Sequence, residues 1–185
     1  SSDVCSSDLD TTLTGYLIEA HVAAKHYAQA AQLAAAARAA QPNELRLAQL
    51  EAQALRKDGK SAQGLTALEG FVAQHRDNPA AHIALAREYI DAGRGSQGVK
   101  VLQDAQAQFP NEVTLGFELG ATFEKQKRYA DAEGVFRQML ARDADSAPVL
   151  NYLGYMLADR GEKLDESVQL LTKALTIEPG NGSYL

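Results

Sequence analysis

Apolar residues recur three and four positions apart along this chain, as in Leu102, Ala105 and Phe109 or Leu115, Leu119 and Phe123. That spacing puts them on one side of an amphipathic helix. The pattern predicts helices in pairs, with breaks at Gly59, Gly93 and Gly161 inside the pairs. Asn43, Asn78, Asn111 and Ser146 stand where side-chain caps would open the next pair, and Pro79 suits a first helical turn.

The pairs repeat. Leu119-Gly120 and Leu153-Gly154 lie 34 residues apart in similar surroundings, and the period carries backwards through units starting at Thr11, Leu45, Pro79, Val113 and Ala147. Small residues fall in one phase at Ala30, Gly64, Gly98, Ala132 and, after a one-residue insertion, Ser167. A side chain of any size there would hold the two helices of a pair apart. Ile18, Ala52, Ala86, Gly120 and Gly154 share a second phase, and His21, Leu55, Tyr89, Phe123 and Leu157 a third. Pro42, Pro110 and Pro179 share a phase near the unit ends.

This register resembles the tetratricopeptide repeat over residues 11–181, most fully at 113–146, where Leu119, Gly120, Phe123, Tyr129, Ala132 and Phe136 all fit. The weakest unit is 45–78, with Glu51 in place of a leucine and Arg76 in place of the terminal proline. The resemblance implies an all-α, right-handed superhelical solenoid of about five helix-turn-helix units: 11–44, 45–78, 79–112, 113–146 and 147–181. Residues 182–185 read as the start of a sixth unit, so the last helix pair is expected to lack a polar cover and to associate or fray. Residues 1–10, SSDVCSSDLD, lack the periodicity and hold the sole cysteine, Cys5. Ser2 to Leu9 can be back-translated into a common sequencing-adapter oligonucleotide, and the segment is expected to be non-native or disordered.

The resemblance also implies a function. In such proteins the first helices of successive units line a concave surface that takes a protein or peptide ligand. Carried onto this chain, the residues facing it are Arg46, Gln49, Gln53, Ile83, Arg87, Phe117, Asn151 and Tyr155. The arginines can pair with carboxylates, the amides can bond an extended backbone, and the rings offer contact area. Gly15 and Glu19 occupy places where some such repeats carry a carboxylate clamp, so chaperone-tail binding is disfavoured. The expected role is a non-catalytic binding scaffold. The alternatives are the substrate-selecting part of a larger enzyme and a self-assembling array. The unit LNYLGYMLADRGEKLDES and the excess of 10 Arg over 8 Lys resemble bacterial envelope repeat proteins.

Composition removes other classes. The net charge is -6 with 18 basic residues dispersed, leaving no basic stripe for a phosphate backbone, and nucleic acid is not an expected partner. No apolar run reaches the roughly 20 residues of a membrane span. GRGSQG, Gly93 to Gly98, satisfies a literal Gly-x-Gly-x-x-Gly dinucleotide fingerprint, but a helical pattern precedes it where a strand is needed, and no cofactor is expected. His21 and His26, five apart, are expected on different helix faces, and no metal site is assigned to the histidines. Asp131, Glu133, Asp165 and Glu166 read as solvated acids favouring the positive ends of helices. Asn181-Gly-Ser183 matches a glycosylation sequon.

Overall fold

The structure, a computed structural model, describes residues 2–180 and the side chains of 11–180. The start of a sixth unit and the Asn181 sequon lie outside the described residues. Among those residues the chain is all-α, with ten helices: α1 (Ser2–Ala23), α2 (Tyr27–Ala40), α3 (Leu45–Lys57), α4 (Ser61–Gln74), α5 (Pro79–Asp91), α6 (Gly95–Gln108), α7 (Val113–Lys125), α8 (Tyr129–Arg142), α9 (Ala147–Asp159) and α10 (Leu164–Ile177). The odd-numbered helices from α3 onward start 34 residues apart. Helix α1 begins at Ser2, ahead of the first periodic residues at 11. Once a nucleus exists at 11–23, each further residue adds a hydrogen bond at little cost, and an aperiodic segment can extend it.

Each odd helix ends in the same turn. Lys25, Gly59, Gly93, Lys127 and Gly161 all have left-handed backbone, with φ of 62, 79, 78, 59 and 65°. The next amide then donates to the carbonyl five residues back: His26 to His21, Lys60 to Leu55, Arg94 to Tyr89, Arg128 to Phe123 and Glu162 to Leu157, at 2.8–3.0 Å. These bonds satisfy carbonyls that a helix end leaves open. The inserted residue of the fifth unit falls in this turn, where Lys163 adopts a second left-handed conformation, φ 47°, before α10 starts.

Within a pair the helices approach closely at the small residues. A Cβ on Gly98 would lie 2.7 Å from the Ala86 carbonyl oxygen, and one on Gly64 2.8 Å from that of Ala52. In the fifth pair the Ser167 hydroxyl donates to the Gly154 carbonyl at 2.7 Å, so the insertion leaves this crossing in register.

The described chain divides into two bodies, residues 1–105 and 106–185. In the first, Ile18, Ala30, Ala31 and Ala34 pack with Leu47, Leu50 and Ala54, and a second cluster joins Leu65, Leu68 and Phe71 to Ala81, Ala84, Leu85 and Tyr89. Both clusters run from one helix pair into the next. The weak unit 45–78 holds by a substitution the consensus does not show: buried Glu51 accepts both guanidinium bonds of Arg38 from α2. In the second body Ala147, Leu150 and Ala174 form a cluster with Leu140 and Leu170.

Two of the four expected caps differ. Asn78 accepts from the Ala80 and Ala81 amides and Ser146 stands at the N-cap of α9, but Glu44 and Glu112 are the N-caps of α3 and α7. The helices start one residue later than the asparagines would set, and Asn43 instead meets His75 Nε2 at 3.1 Å.

Candidate functional site

A groove of about 460 Å³ in the first body is bordered by α1, α3 and α5, the first helices of three successive pairs. Along α3 the residues Arg46, Gln49, Gln53 and Arg56 follow at steps of three and four, which is one helix face. Leu50, Leu68 and Ala84 contribute apolar surface beside them, and Arg87, Glu88 and Asp91 enter from α5.

Its charges are mostly matched. Arg46 pairs with Glu19 of α1 at 2.9 Å and lies 5.4 Å from the Tyr16 ring centroid. Arg56 spans two acids of α5, Glu88 at 3.0 Å and Asp91 at 2.9 Å. Burial pushes the Glu88 carboxyl above its ordinary range against the opposing pull of Arg56. The groove therefore presents fixed, neutralised polar edges around the two exposed or half-buried glutamines.

Of the eight residues expected to face a ligand, the groove gathers Arg46, Gln49, Gln53 and Arg87. Ile83, in register with Gln49, differs from it: it is buried and does not border the groove. Phe117, Asn151 and Tyr155 belong to the second body. There Phe117 is half-buried, its ring centroid 5.8 Å from Phe136 and 5.9 Å from Tyr152. Asn151 is half-buried and Tyr155 exposed on α9. Tyr152 donates to Glu124 at 2.6 Å, and burial raises its phenol above the ordinary value. Sequence reasoning passed over Arg56, Glu88 and Asp91. Arg56 was detectable as the continuation of the Arg46–Gln49–Gln53 face.

Geometry corrects the expectations for Glu133, Glu166 and the histidine pair. Glu133 is half-buried, and accepts from Lys163 at 2.5 Å and from Arg137 at 2.8 Å, where a solvated acid was expected. Glu166 receives two bonds from the same Arg137, at 2.8 and 3.0 Å. The His21 and His26 rings lie 5.8 Å apart, since His26 follows the left-handed turn and has left the helix. In GRGSQG, Gly93 is the left-handed end of α5 and Gly98 a helix-crossing contact, so both glycines have packing roles. A smaller cavity of about 250 Å³ in the second body, with Val113, Gly116, Met139 and Val149 among its walls, contains none of the eight residues. No helix among the described residues is long and apolar enough to cross a membrane.

The family model described as tetratricopeptide repeat matches residues 83–147 and again 123–182. The chain belongs to the tetratricopeptide repeat family. A TPR repeat-containing protein of Pseudomonas aeruginosa is 33% identical over 86 residues, 46% of this chain and 15% of that protein. This chain thus aligns with a small part of that relative's length. Among solved structures, a thermophilic TPR protein of Thermus thermophilus superposes with TM-score 0.57 at 22% identity, covering 94% of each chain. MamA superposes at 0.58 and 16% identity, covering 90% of this chain and 97% of that one. YrrB, described as a TPR protein with an unusual peptide-binding site, superposes at 0.53 and 13% identity, covering 91% and 86%. The family match and these likenesses establish the tetratricopeptide fold, an all-α repeat array.

Proposed function

We propose that this tetratricopeptide array is a non-catalytic scaffold that binds an extended peptide segment of a partner protein along α3. The observation carrying the reading is the convergence of Arg46, Gln49, Gln53 and Arg87 on one groove. Gln49 and Gln53 are separated by four residues, a rise of about 6 Å along the helix. Every second residue of an extended chain advances about 6.6 Å. The two amides can therefore donate to and accept from alternate peptide groups on one edge of a ligand, as backbone recognition requires. Arg46 and Arg56, already held by acids, frame the ends of the stripe and fix its geometry without adding net charge. The peptide-binding site named for YrrB is consistent with the reading.

The test is an array of immobilised twelve-residue peptides probed with the wild-type chain and with a Gln49→Ala, Gln53→Ala double variant. Loss of the wild-type binding pattern in the variant is expected. An unchanged pattern removes the groove from the function.

A further inference from the structure

Each apolar helical wall of the second body's cavity has a counterpart two periods of 34 residues earlier, in the unit 45–78 and the helix that follows it. Val113, Gly116, Met139 and Val149 correspond to Leu45, Ala48, Phe71 and Ala81. Those four meet in one apolar cluster of the first body, in which Phe71 is only 3% exposed. The earlier unit therefore packs around a ring at the place of Met139.

A second ring lies on the first. His75 stacks on Phe71 with centroids 4.1 Å apart and planes 17° from parallel. Its Nδ1 meets the Phe71 carbonyl oxygen at 3.0 Å, and its Nε2 meets Asn43 Oδ1 at 3.1 Å. The imidazole rests its face on an apolar neighbour and turns its edge to an amide.

In the unit 113–146 the amide is kept and the rings are not. Asn111 holds the register of Asn43 and borders the cavity, while Met139 replaces Phe71, Asp143 replaces His75 and Gly116 replaces Ala48. Val149 in place of Ala81 returns part of that volume. The space left, about 250 Å³, exceeds the roughly 150 Å³ that encloses a benzene ring. Its walls include the Met139 thioether, a favourable neighbour for an aromatic ring. Its rim carries Glu112 and Asp143, each steadied by a backbone amide, from Thr114 and Asp145, and each with lone pairs to spare. Arg142 beside them already donates to the Pro110 carbonyl at 2.6 Å. A ring entering here meets apolar walls, an amide and an excess of carboxylate, which suits imidazole better than phenyl or phenol.

We propose that this cavity receives a histidine side chain of a partner protein, seated against Met139 with its edge at Asn111, as His75 sits within the unit 45–78. The site shares no residue with the groove along α3, and rests on the scaffold reading only in that a partner protein supplies the histidine.

Amide NMR spectra of the full chain test this, titrated at neutral pH with N-acetyl-histidine methylamide and with the tyrosine, phenylalanine and leucine analogues. The histidine compound should shift the amides of Gly116, Met139 and Val149 saturably in the millimolar range. It should bind about fivefold more tightly than the other three, as one hydrogen bond of about 1 kcal/mol gives. Asn111→Leu, in an exposed turn, should remove that preference while the rest of the spectrum stays in place. Met139→Phe with Asp143→His, which rebuilds the stacked pair inside the cavity, should abolish binding of all four compounds. The Gln49→Ala, Gln53→Ala variant should bind them as wild type does, so failure of the α3 groove is read separately. Absence of saturable shifts at these amides overturns the proposal. So does equal binding by histidine and any of the other three, or a histidine preference that survives Asn111→Leu.

Discussion

Glu51 stands where later units carry Leu85, Leu119 and Leu153, and its carboxylate is held by Arg38 across the α2–α3 junction. The Glu51 side chain is 9% exposed and that of Arg38 34%. The bond to Glu51 also raises the Arg38 guanidinium above its ordinary value, the direction expected of a formed ion pair. Removing one partner of a buried pair costs about 3–5 kcal/mol when the other charge is left stranded. Since Arg38 reaches water along a third of its surface, the pair is partly screened, and Arg38→Ala should cost about 2–3 kcal/mol. Glu51→Leu strands the arginine instead, which can turn outward, and adds an apolar side chain whose burial stabilises by about 1.5–3 kcal/mol. That variant should be neutral or more stable than wild type, and adding Arg38→Ala to it should cost less than about 1 kcal/mol. Urea unfolding followed by circular dichroism gives the totals, and amide exchange across α2 and α3 localises them, since interface terms in a repeat array act between neighbours. Equal destabilisation by Arg38→Ala and Glu51→Leu, adding in the double variant, would refute the argument.

Gly98→Ala should destabilise by about 1–3 kcal/mol, because its Cβ would sit 2.7 Å from backbone, whereas Gly70→Ala, with open space around it, should stabilise by about 0.5–1 kcal/mol; thermal midpoints separate the two. Hydrogen bonds from Lys163 to Glu133 and from Arg137 to Glu166 hold both carboxyls below their usual range. Their stabilising contribution is complete above the unfolded value of about 4.3 and lost as pH falls through the depressed range, so amide exchange in α10 should quicken below about pH 4. Arg137→Gln should flatten that dependence. Glu88, raised by burial, acts in the opposite sense, its contribution declining as pH rises through the carboxylate range.

The repeat class was legible because the same offsets recur in every unit, and Leu119, Gly120 and Phe123 carry the family pattern in one stretch. The alignment of Arg46, Gln49 and Gln53 along the groove was legible from their shared helix face, and the place of Arg87 from its register with Gln53. The burial of Ile83 was not legible, because helical register gives direction from an axis but not what lies opposite. Glu51 weakened the sequence case for its unit because its partner, Arg38, belongs to the previous unit and is matched only once the helices are packed. Glu133 was similarly read as solvated, though Lys163 reaches it from the turn before α10. The left-handed residues at Lys25 and Lys127 escaped notice because the turn is recognisable by glycine in only three of its five occurrences.

That turn also sets where the chain tolerates a change of length. Lys163 takes up one extra residue with a second left-handed step, while Ser167 still meets Gly154 across the pair. Length added at this point stays out of the helix crossing, which makes the Glu162–Lys163 junction the place to splice a short label or epitope without disturbing the neighbouring helices.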